Sequence, residues 1–551
     1  MRAQRVPFTA WLLALGLMVP ARGVLATQPT RLLWQAQGVE NVLSIAWIED
    51  VDGDAVPDVL FESYDAGPSG VDHLFAISGA SSGTGTVIWS ARPLGGPSNS
   101  GGYGDYCLQT SPDLTGDGKS DVLYGSAWGG RTAFALDGLT GSTFWSFDTY
   151  SDSPPTPPQS GWVYAVASLG SDLTSDGVPE VLFCAGSDNH CVYCADGRTG
   201  AILWYYRGLD AFDFVASIAD VDQDGIRDVV AAQTDNYPRV HVFSGRGGVG
   251  GAARLIWGQD LTNAIWSCCE IPQPGGIPAT LVVGCWDNKI HGYNAANGSP
   301  RWAETVGYSV QRVVAIPDVN GDGIMDVAVG SWDNAGRVHS GSNGALIWRT
   351  PVGTVNGGDC WACDPVGDTN GDGVEEVAFG SFDLNAYLMD GRTGAILWSY
   401  YVGDRVLTIR GLPDLTGNRI PDVAAGTQMQ YGAPHGGVCY ALEGNDNISP
   451  ADVADPRHQA PGLQVGPNPS RGPVSWSFSL ELPAATALLE VFDSGGRRVR
   501  VLHRGPATAG LTRAQWDGSD EDGRALPAGV YLGRLAVDGH AVATLRQVRL
   551  P

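Results

Sequence analysis

The chain has 551 residues, 43% of them apolar, and a formal charge of −26. This length predicts two or more domains with real cores, and 76 Gly and 18 Trp against 5 Met favour turn-rich β structure over helix. The charge argues against nucleic acid as a partner, because phosphate binding needs clustered Lys and Arg.

Residues 1–26 read as a secretory signal. Arg2 and Arg5 open it, an apolar stretch runs from about Phe8 to Pro20, and Val24-Leu25-Ala26 places cleavage before Thr27. The stretch is short for a membrane span, and no other 18-residue apolar run occurs, so the mature chain is expected to lack a transmembrane segment. An uncleaved N-terminal anchor is the alternative.

From residue 50 onward an acidic nonapeptide recurs seven times, spaced D-x-[DNT]-x-[DN]-x-x-x-[DE]. Oxygen side chains at positions 1, 3, 5 and 9 are the spacing with which a tight loop wraps a hard cation. The expected ligands are Asp50, Asp52, Asp54 and Asp58; Asp113, Asp117 and Asp121; Asp172, Asp176 and Glu180; and Asp220, Asp222, Asp224 and Asp228. They continue as Asp318, Asn320, Asp322 and Asp326; Asp368, Asn370, Asp372 and Glu376; and Asp414, Asn418 and Asp422. One such loop is ambiguous, since Asp and Asn also make side-chain turns. Seven with one spacing predict about seven structural Ca²⁺ sites. The last loop, with Thr416 and Asn418, carries the fewest carboxylates and is expected to bind weakest.

Each loop sits in a repeat of roughly 46–63 residues. A strand leads in, a second follows, a third ends in a turn such as FALDG (134–138), and a fourth ends in Trp, at Trp89, Trp145, Trp204, Trp257, Trp302, Trp348 and Trp398. Four short strands at this period predict a β-propeller blade. The fifth repeat keeps its hairpin at IPQPGGIPAT (271–280) but has no carboxylate there, and no metal is expected in it. The eighth lacks a Trp-ended strand, and Arg31-Leu32-Leu33-Trp34 supplies one from the start of the chain. The expected architecture is all-β: an eight-bladed propeller over 30–445, closed by that N-terminal strand so that no sheet edge stays open.

The nonapeptides resemble the calcium loops of FG-GAP repeats, known from integrin α-chain propellers and bacterial surface proteins. LDGLTGSTFW (136–145), ADGRTGAILW (195–204) and MDGRTGAILW (389–398) resemble the tryptophan-docking repeat of pyrroloquinoline-quinone enzymes, which also occurs in non-enzymatic propellers. Vicinal Cys268-Cys269 is similar to the adjacent-cysteine disulfide of the quinone alcohol dehydrogenases, but no other quinone-site motif accompanies it.

Residues 446–462 are polar and Pro-rich, a linker composition. After them, 463–551 alternates through six or seven short strands, which predicts a small immunoglobulin-like sandwich. GPNPS (466–470) and WDGSDEDGRALPAGVYLGRL (516–535) resemble the C-terminal Ig-like domain of the flagellar hook-capping family and, equally, the sorting domain of type IX secretion cargo. The resemblance implies an exported bacterial protein, secreted or displayed on the outer surface; a plain stalk domain is the alternative.

Ten cysteines in an exported chain are candidates for disulfides, with Cys184/Cys191 and Cys268/Cys285 placed to face each other across hairpins; small buried core thiols are the equal alternative. Cys191/Cys194 and Cys360/Cys363 lie three apart on predicted strands, which points them to opposite faces and makes poor zinc geometry. The turns between second and third strands form the other end of the propeller. They carry Trp128, Trp286, Trp332 and Phe382 beside Asp287 and Asp333, and aromatic faces next to carboxylates suit a sugar. Gln109, Asp213, Arg312 and Arg410 are placed to reach the central channel. No H-E-x-x-H, G-x-S-x-G or phosphate-loop motif is present. The expectation is a monomeric, non-enzymatic, calcium-stabilised binding or adhesion module for a glycan or a surface protein. The alternatives are a polysaccharide-degrading enzyme, because eight-bladed calcium-rich propellers of this kind include rhamnogalacturonan lyases, and a structural envelope protein.

Overall fold

The computed structural model describes residues 30–63, 71–93, 104–127, 130–152, 161–234, 236–353, 358–428, 436–445, 464–466, 469–480, 484–493, 497–508, 510–521, 523–537 and 540–550. The expected signal, the linker and Trp128 lie outside them. The chain divides into two compact parts between Asp446 and Asn447. The described residues hold no α-helix; a 3-10 turn at Val249–Gly251 is the helical element.

The N-terminal part is built from antiparallel four-stranded repeats. The first strands, in order, are Val42–Ile48, Leu108–Ser111, Val163–Ser168, Phe212–Ile218, Ile265–Ile271, Val310–Ile316, Cys360–Val366 and Val406–Leu412. Each packs on the next, and Val406–Leu412 packs back on Val42–Ile48. Leu32–Gln37 pairs antiparallel with Val438–Leu442 and becomes the fourth strand of the last repeat. Second strands such as Asp58–Ser63, Asp228–Gln233 and Asp326–Ser331 are buried along their whole length, covered by the repeats on either side. That burial on both faces explains why they read as unbroken apolar runs instead of alternating ones.

The Trp-ended strands tie each repeat to the next. The indole N–H of Trp89 donates to Gly138 O (2.9 Å), Trp145 to Gly197 O (2.8 Å), Trp204 to Gly245 O (2.7 Å) and Trp257 to Ala295 O (2.6 Å). Trp348 reaches Gly391 O (2.7 Å), Trp398 reaches Gly444 O (2.9 Å), and Trp34 of the N-terminal strand reaches Gly79 O of the first repeat (3.3 Å). Trp302 is the exception: its buried Nε1 has no hydrogen-bond partner. Six of the rings, Trp89, Trp145, Trp204, Trp257, Trp302 and Trp348, also lie on a left-handed glycine of the neighbouring repeat. Gly394 has φ +69°, and a Cβ there would stand 2.5 Å from the Trp348 ring. Gly394→Ala is therefore expected to cost about 2–4 kcal/mol, combining left-handed strain with overpacking, and to show as a lower melting temperature.

The C-terminal part has a three-stranded sheet (Gln464–Gly466, Val474–Leu480, Gly510–Trp516) and a four-stranded one (Ala484–Asp493, Arg498–Ala507, Gly529–Val537, His540–Arg549). The sheets share a core centred on Trp476, Phe478, Leu489, Val491, Trp516 and Tyr531.

All ten cysteines are free thiols. Cys184 stands opposite Val192 and Cys191 opposite Ala185, so the two thiols point to opposite faces and cannot bridge. Vicinal Cys268 and Cys269 are likewise unbridged. Cys360 and Cys363 depart from the expected opposite-face placement. A register shift between Cys360 and Ala362 turns the strand, and both thiols enter one apolar cluster.

Candidate functional site

The seven acidic loops share one internal geometry. The first carboxylate caps the turn: Asp50 accepts N–H bonds from Gly53 (2.6 Å), Asp54 (3.1 Å) and Ala55 (2.9 Å), Asp113, Asp172 and Asp318 accept the same three in their loops, and Asp368 and Asp414 accept those of the fourth and sixth loop positions. The N–H groups of Gly177, Ser175 and Asp176 hold the Asp172 carboxyl below the usual carboxylate range. The fifth-position side chains Asp54, Asp117, Asp176, Asp224, Asp322, Asp372 and Asn418 each accept the N–H two residues on, at 2.7–3.0 Å.

The ninth-position groups Asp58, Asp121, Glu180, Asp228, Asp326, Glu376 and Asp422 are all buried. Each accepts the N–H of the second-position residue, as Asp58 does from Val51 at 2.8 Å. Asp58 also takes the N–H of Gly79 on the following turn at 3.0 Å. Burial first, and then the neighbouring carboxylates, push the Asp58, Asp228 and Asp326 carboxyls up to about 6. The same causes push Glu180, Glu376 and Asp422 up to about 7.

These donor sets fit a hard cation. Carboxylate oxygens of Asp50, Asp52 and Asp58 lie within 4.8 Å of one another, as do those of Asp220, Asp222 and Asp228 and those of Asp368, Asp372 and Glu376. Glu180 Oε2 and Asp222 Oδ1 are buried without a hydrogen-bond partner. Unpaired buried oxygens in an all-oxygen cluster suit Ca²⁺. Asn320 and Asn370 donate to Asp326 (2.9 Å) and Glu376 (2.6 Å) and brace the ninth position.

Two loops differ from the sequence reading. In the fourth, the Arg254 guanidinium reaches Asp222 and Asp224, so a side-chain cation shares the cluster. In the seventh, which belongs to the eighth repeat, the turn after Val438–Leu442 brings in a further buried carboxylate, Glu443, which Asn418 and Thr416 contact and Arg31 pairs at 2.6 Å. The sequence pattern misses Glu443 because it lies 21 residues beyond the nonapeptide's last position, Asp422.

First strands and second-to-third-strand turns together carry an aromatic series. Ring centroids run Trp266 to Trp286 (5.5 Å), Trp286 to Trp332 (5.5 Å), Trp332 to Trp361 (5.8 Å) and Trp361 to Phe382 (4.9 Å). The Arg405 guanidinium lies 5.0 Å over Phe382. Its inner members open onto a cavity of about 280 Å³ lined by Tyr106, Tyr164, Trp266, Trp361 and Phe382. Polar groups on its wall include Asn41, Asp213, Gln311, Arg405 and Gln428. Gln311 Oε1 is buried without a hydrogen-bond partner.

Of the residues expected to bind ligand, Phe382 lines the cavity. Trp286 and Trp332 stack behind its wall. Asp287 is held by His291 (3.0 Å), and Asp333 by Arg337 and Arg349, so neither faces the cavity. Asp213 and Arg312 line it, and Arg410 lies in contact with the same charged group; Gln109 is not on its wall. Asp105 and Tyr106, which the sequence reading did not single out, reach across the centre. Tyr106 hydroxyl meets Ser267 Oγ at 2.7 Å in the fifth repeat, and Asp105 contacts Arg312 and Arg410 in the sixth and eighth.

The fold places the N-terminal part among β-propellers. The C-terminal WD40 domain of Sif2 superposes with a TM-score of 0.50 at 12% identity, covering 76% of this chain and 99% of that one. Saccharomyces cerevisiae Sqt1 gives 0.45 at 11% identity (82% and 96% covered), and BBS1N, crystallised in complex with ARL6DN, gives 0.43 at 12% (62% and 93%). Residues 318–379 match the FG-GAP-like repeat, and residues 468–538 match the FlgD Ig-like domain. No curated protein matches the chain.

Proposed function

We propose that the chain is an exported, calcium-stabilised, eight-bladed propeller whose central cavity binds a carbohydrate. The observation that carries the reading is the cavity itself. Five aromatic rings from four repeats converge on it beside Gln311 and Arg405. Flat apolar faces next to orienting polar groups are what a sugar ring needs. The charged groups at its floor are neutralised by one another: Asp105 pairs with Arg312 and Arg410, and Asp364 pairs with both. That pairing favours binding over the polysaccharide-cleaving alternative, which needs a free base.

The seven acidic loops are read as architectural calcium sites, on the side of each repeat away from the aromatic turns. The Trp-ended strands act as the docking device named by the sequence resemblance. The signal-like start and the C-terminal Ig-like domain support export, with the latter as a sorting or surface-attachment module. No described helix is long and apolar enough to cross a membrane.

A glycan array probed with the purified chain in Ca²⁺ tests the assignment. Binding is expected to a defined glycan class and to fall at least tenfold, about 1.4 kcal/mol, in Trp361→Ala and Phe382→Ala. Binding that both variants retain would place the ligand elsewhere, and an empty array would remove the carbohydrate assignment.

A further inference from the structure

The middle hairpins of the fifth, sixth and seventh repeats are copies of one design. In each, the second strand ends in a small polar residue, an Asp follows two positions on, and a longer polar side chain stands on the returning strand. The registers agree: Val283 faces His291, Val329 faces Arg337 and Phe379 faces Tyr387. In the sixth repeat the set is Ser331, Asp333 and Arg337; Ser331 donates to Asp333 at 2.6 Å and Arg337 pairs with the same carboxylate. In the seventh it is Ser381, Asp383 and Tyr387, with the Tyr387 hydroxyl donating to Asp383 at 2.5 Å. A hydroxyl, a carboxylate and one further hydrogen-bonding group suffice to hold this turn.

The fifth repeat places Cys285, Asp287 and His291 at the same three positions. Ser has become Cys, and Arg or Tyr has become His. Both changes substitute a transition-metal ligand, and both fall in one hairpin. Cys285 Sγ, an Asp287 oxygen and a His291 ring nitrogen all lie within 4.8 Å of one another. His291 Nε2 stands 3.0 and 3.2 Å from the two Asp287 oxygens, and the Thr262 hydroxyl donates to Asp287 at 3.1 Å. The thiol donates to Asn263 O at 3.2 Å. This is also the repeat whose loop at 271–280 carries no carboxylate.

We propose that Cys285, Asp287 and His291 form a binding site for one divalent transition-metal ion of the zinc class. Thiolate, imidazole and carboxylate are three ligands of a tetrahedral centre, and the fourth position is left for water or a ligand oxygen. Sulfur and nitrogen donors select against Ca²⁺, so the site is chemically distinct from the acidic loops. Binding exchanges the Cys285 S–H for a metal–sulfur bond, releases that proton to solvent and leaves His291 neutral. The ion would pin the middle hairpin of the one repeat that lacks an acidic clamp at its other hairpin.

Cobalt titration of the metal-stripped whole chain, resupplied with excess Ca²⁺, tests the site. One Co²⁺ per chain is expected, with intense visible bands of tetrahedral geometry and a thiolate-to-cobalt charge-transfer band, all displaced by an equivalent of Zn²⁺. Cys285→Ser combined with His291→Tyr installs the seventh repeat's residues. It should keep the metal-free melting temperature and lose every band. Should that pair not fold, Cys285→Ser alone must remove the charge-transfer band. A wild-type chain without that band, or a band that survives Cys285→Ser, overturns the proposal.

Discussion

Chelating calcium should lower the melting temperature of the N-terminal part by many degrees, and by more at pH 7.5 than at pH 5. An ion that binds only the native chain stabilises it by RT ln(1 + [L]/Kd), about 2.7 kcal/mol per site at a hundredfold excess over Kd. The pH arm follows from the buried ninth-position carboxylates. Asp58, Asp228 and Asp326 are pushed up to about 6, and Glu180, Glu376 and Asp422 to about 7. Unfolded Asp and Glu titrate near ~3.9 and ~4.3. Between those values the folded chain holds more protons than the unfolded one. Without metal, stability is therefore greatest at the acid end of this window and falls as the pH rises through it. Ca²⁺ competes with the same protons, so its contribution grows over the same range. Melting curves with Ca²⁺ and with EDTA at both pH values decide the matter. Overlapping curves at pH 7.5 would remove the metal from the loops. Equal drops at both pH values would remove the ninth-position carboxylates from its ligand set. The C-terminal part carries none of the nine-residue loops, and its transition should not move.

The features legible in the sequence are those written by local rules. The acidic nonapeptide marks the turn between first and second strands because a carboxylate at its first position caps three N–H groups of its own loop. The pairing of Leu32–Gln37 with Val438–Leu442 is legible because Arg31–Trp34 repeats the Trp-ended strand that the eighth repeat lacks. The cavity is not legible, because its walls come from all eight repeats of the N-terminal part, from Asn41 to Gln428. Trp266 and Trp361 lie on first strands whose side chains alternate between the centre and the neighbouring repeat, and a single sequence does not say which residue faces which. Asp105 and Tyr106 follow a glycine-rich stretch without periodicity, and their partners stand 161 to 305 residues away. Asp287 and Asp333 look available in sequence, but His291 and Arg337, four residues on, consume them. The Cys360/Cys363 face reversal rests on a one-residue register shift that no spacing rule encodes.

Replacing Arg312 with Leu should destabilise the N-terminal part by about 3–5 kcal/mol, the cost of leaving a buried ionic partner uncompensated. Arg312 and Arg410 alternate with Asp105 and Asp364 at the floor of the cavity, giving two charges of each sign. The group is nearly closed to water, with the Arg312 side chain 8% exposed and Asp364 15%. Burial, and then the like charge of Arg410, pull the Arg312 guanidinium down to about 10, so it stays charged at neutral pH. Asp364 Oδ1 accepts from Arg312 at 3.0 Å, and its other oxygen accepts the Gly411 N–H at 3.0 Å. Asp105 in turn accepts from Thr408 and Arg410. The group thus joins the second, sixth, seventh and eighth repeats, and removing Arg312 leaves two carboxylates facing one guanidinium. The uncompensated negative charge should make the Arg312→Leu defect smaller at pH 5 than at pH 7.5, whereas lost packing volume alone would cost the same at both. Removing a carboxylate as well, in Arg312→Leu with Asp364→Leu, restores charge balance and should recover part of the loss, a coupling on the order of 1–3 kcal/mol. Thermal melts of the wild type, both single variants and the double variant in Ca²⁺ measure that coupling. A strictly additive double variant, or a single variant costing under about 1 kcal/mol, would show that the four residues merely fill the channel and that the ring holds its centre closed by apolar packing.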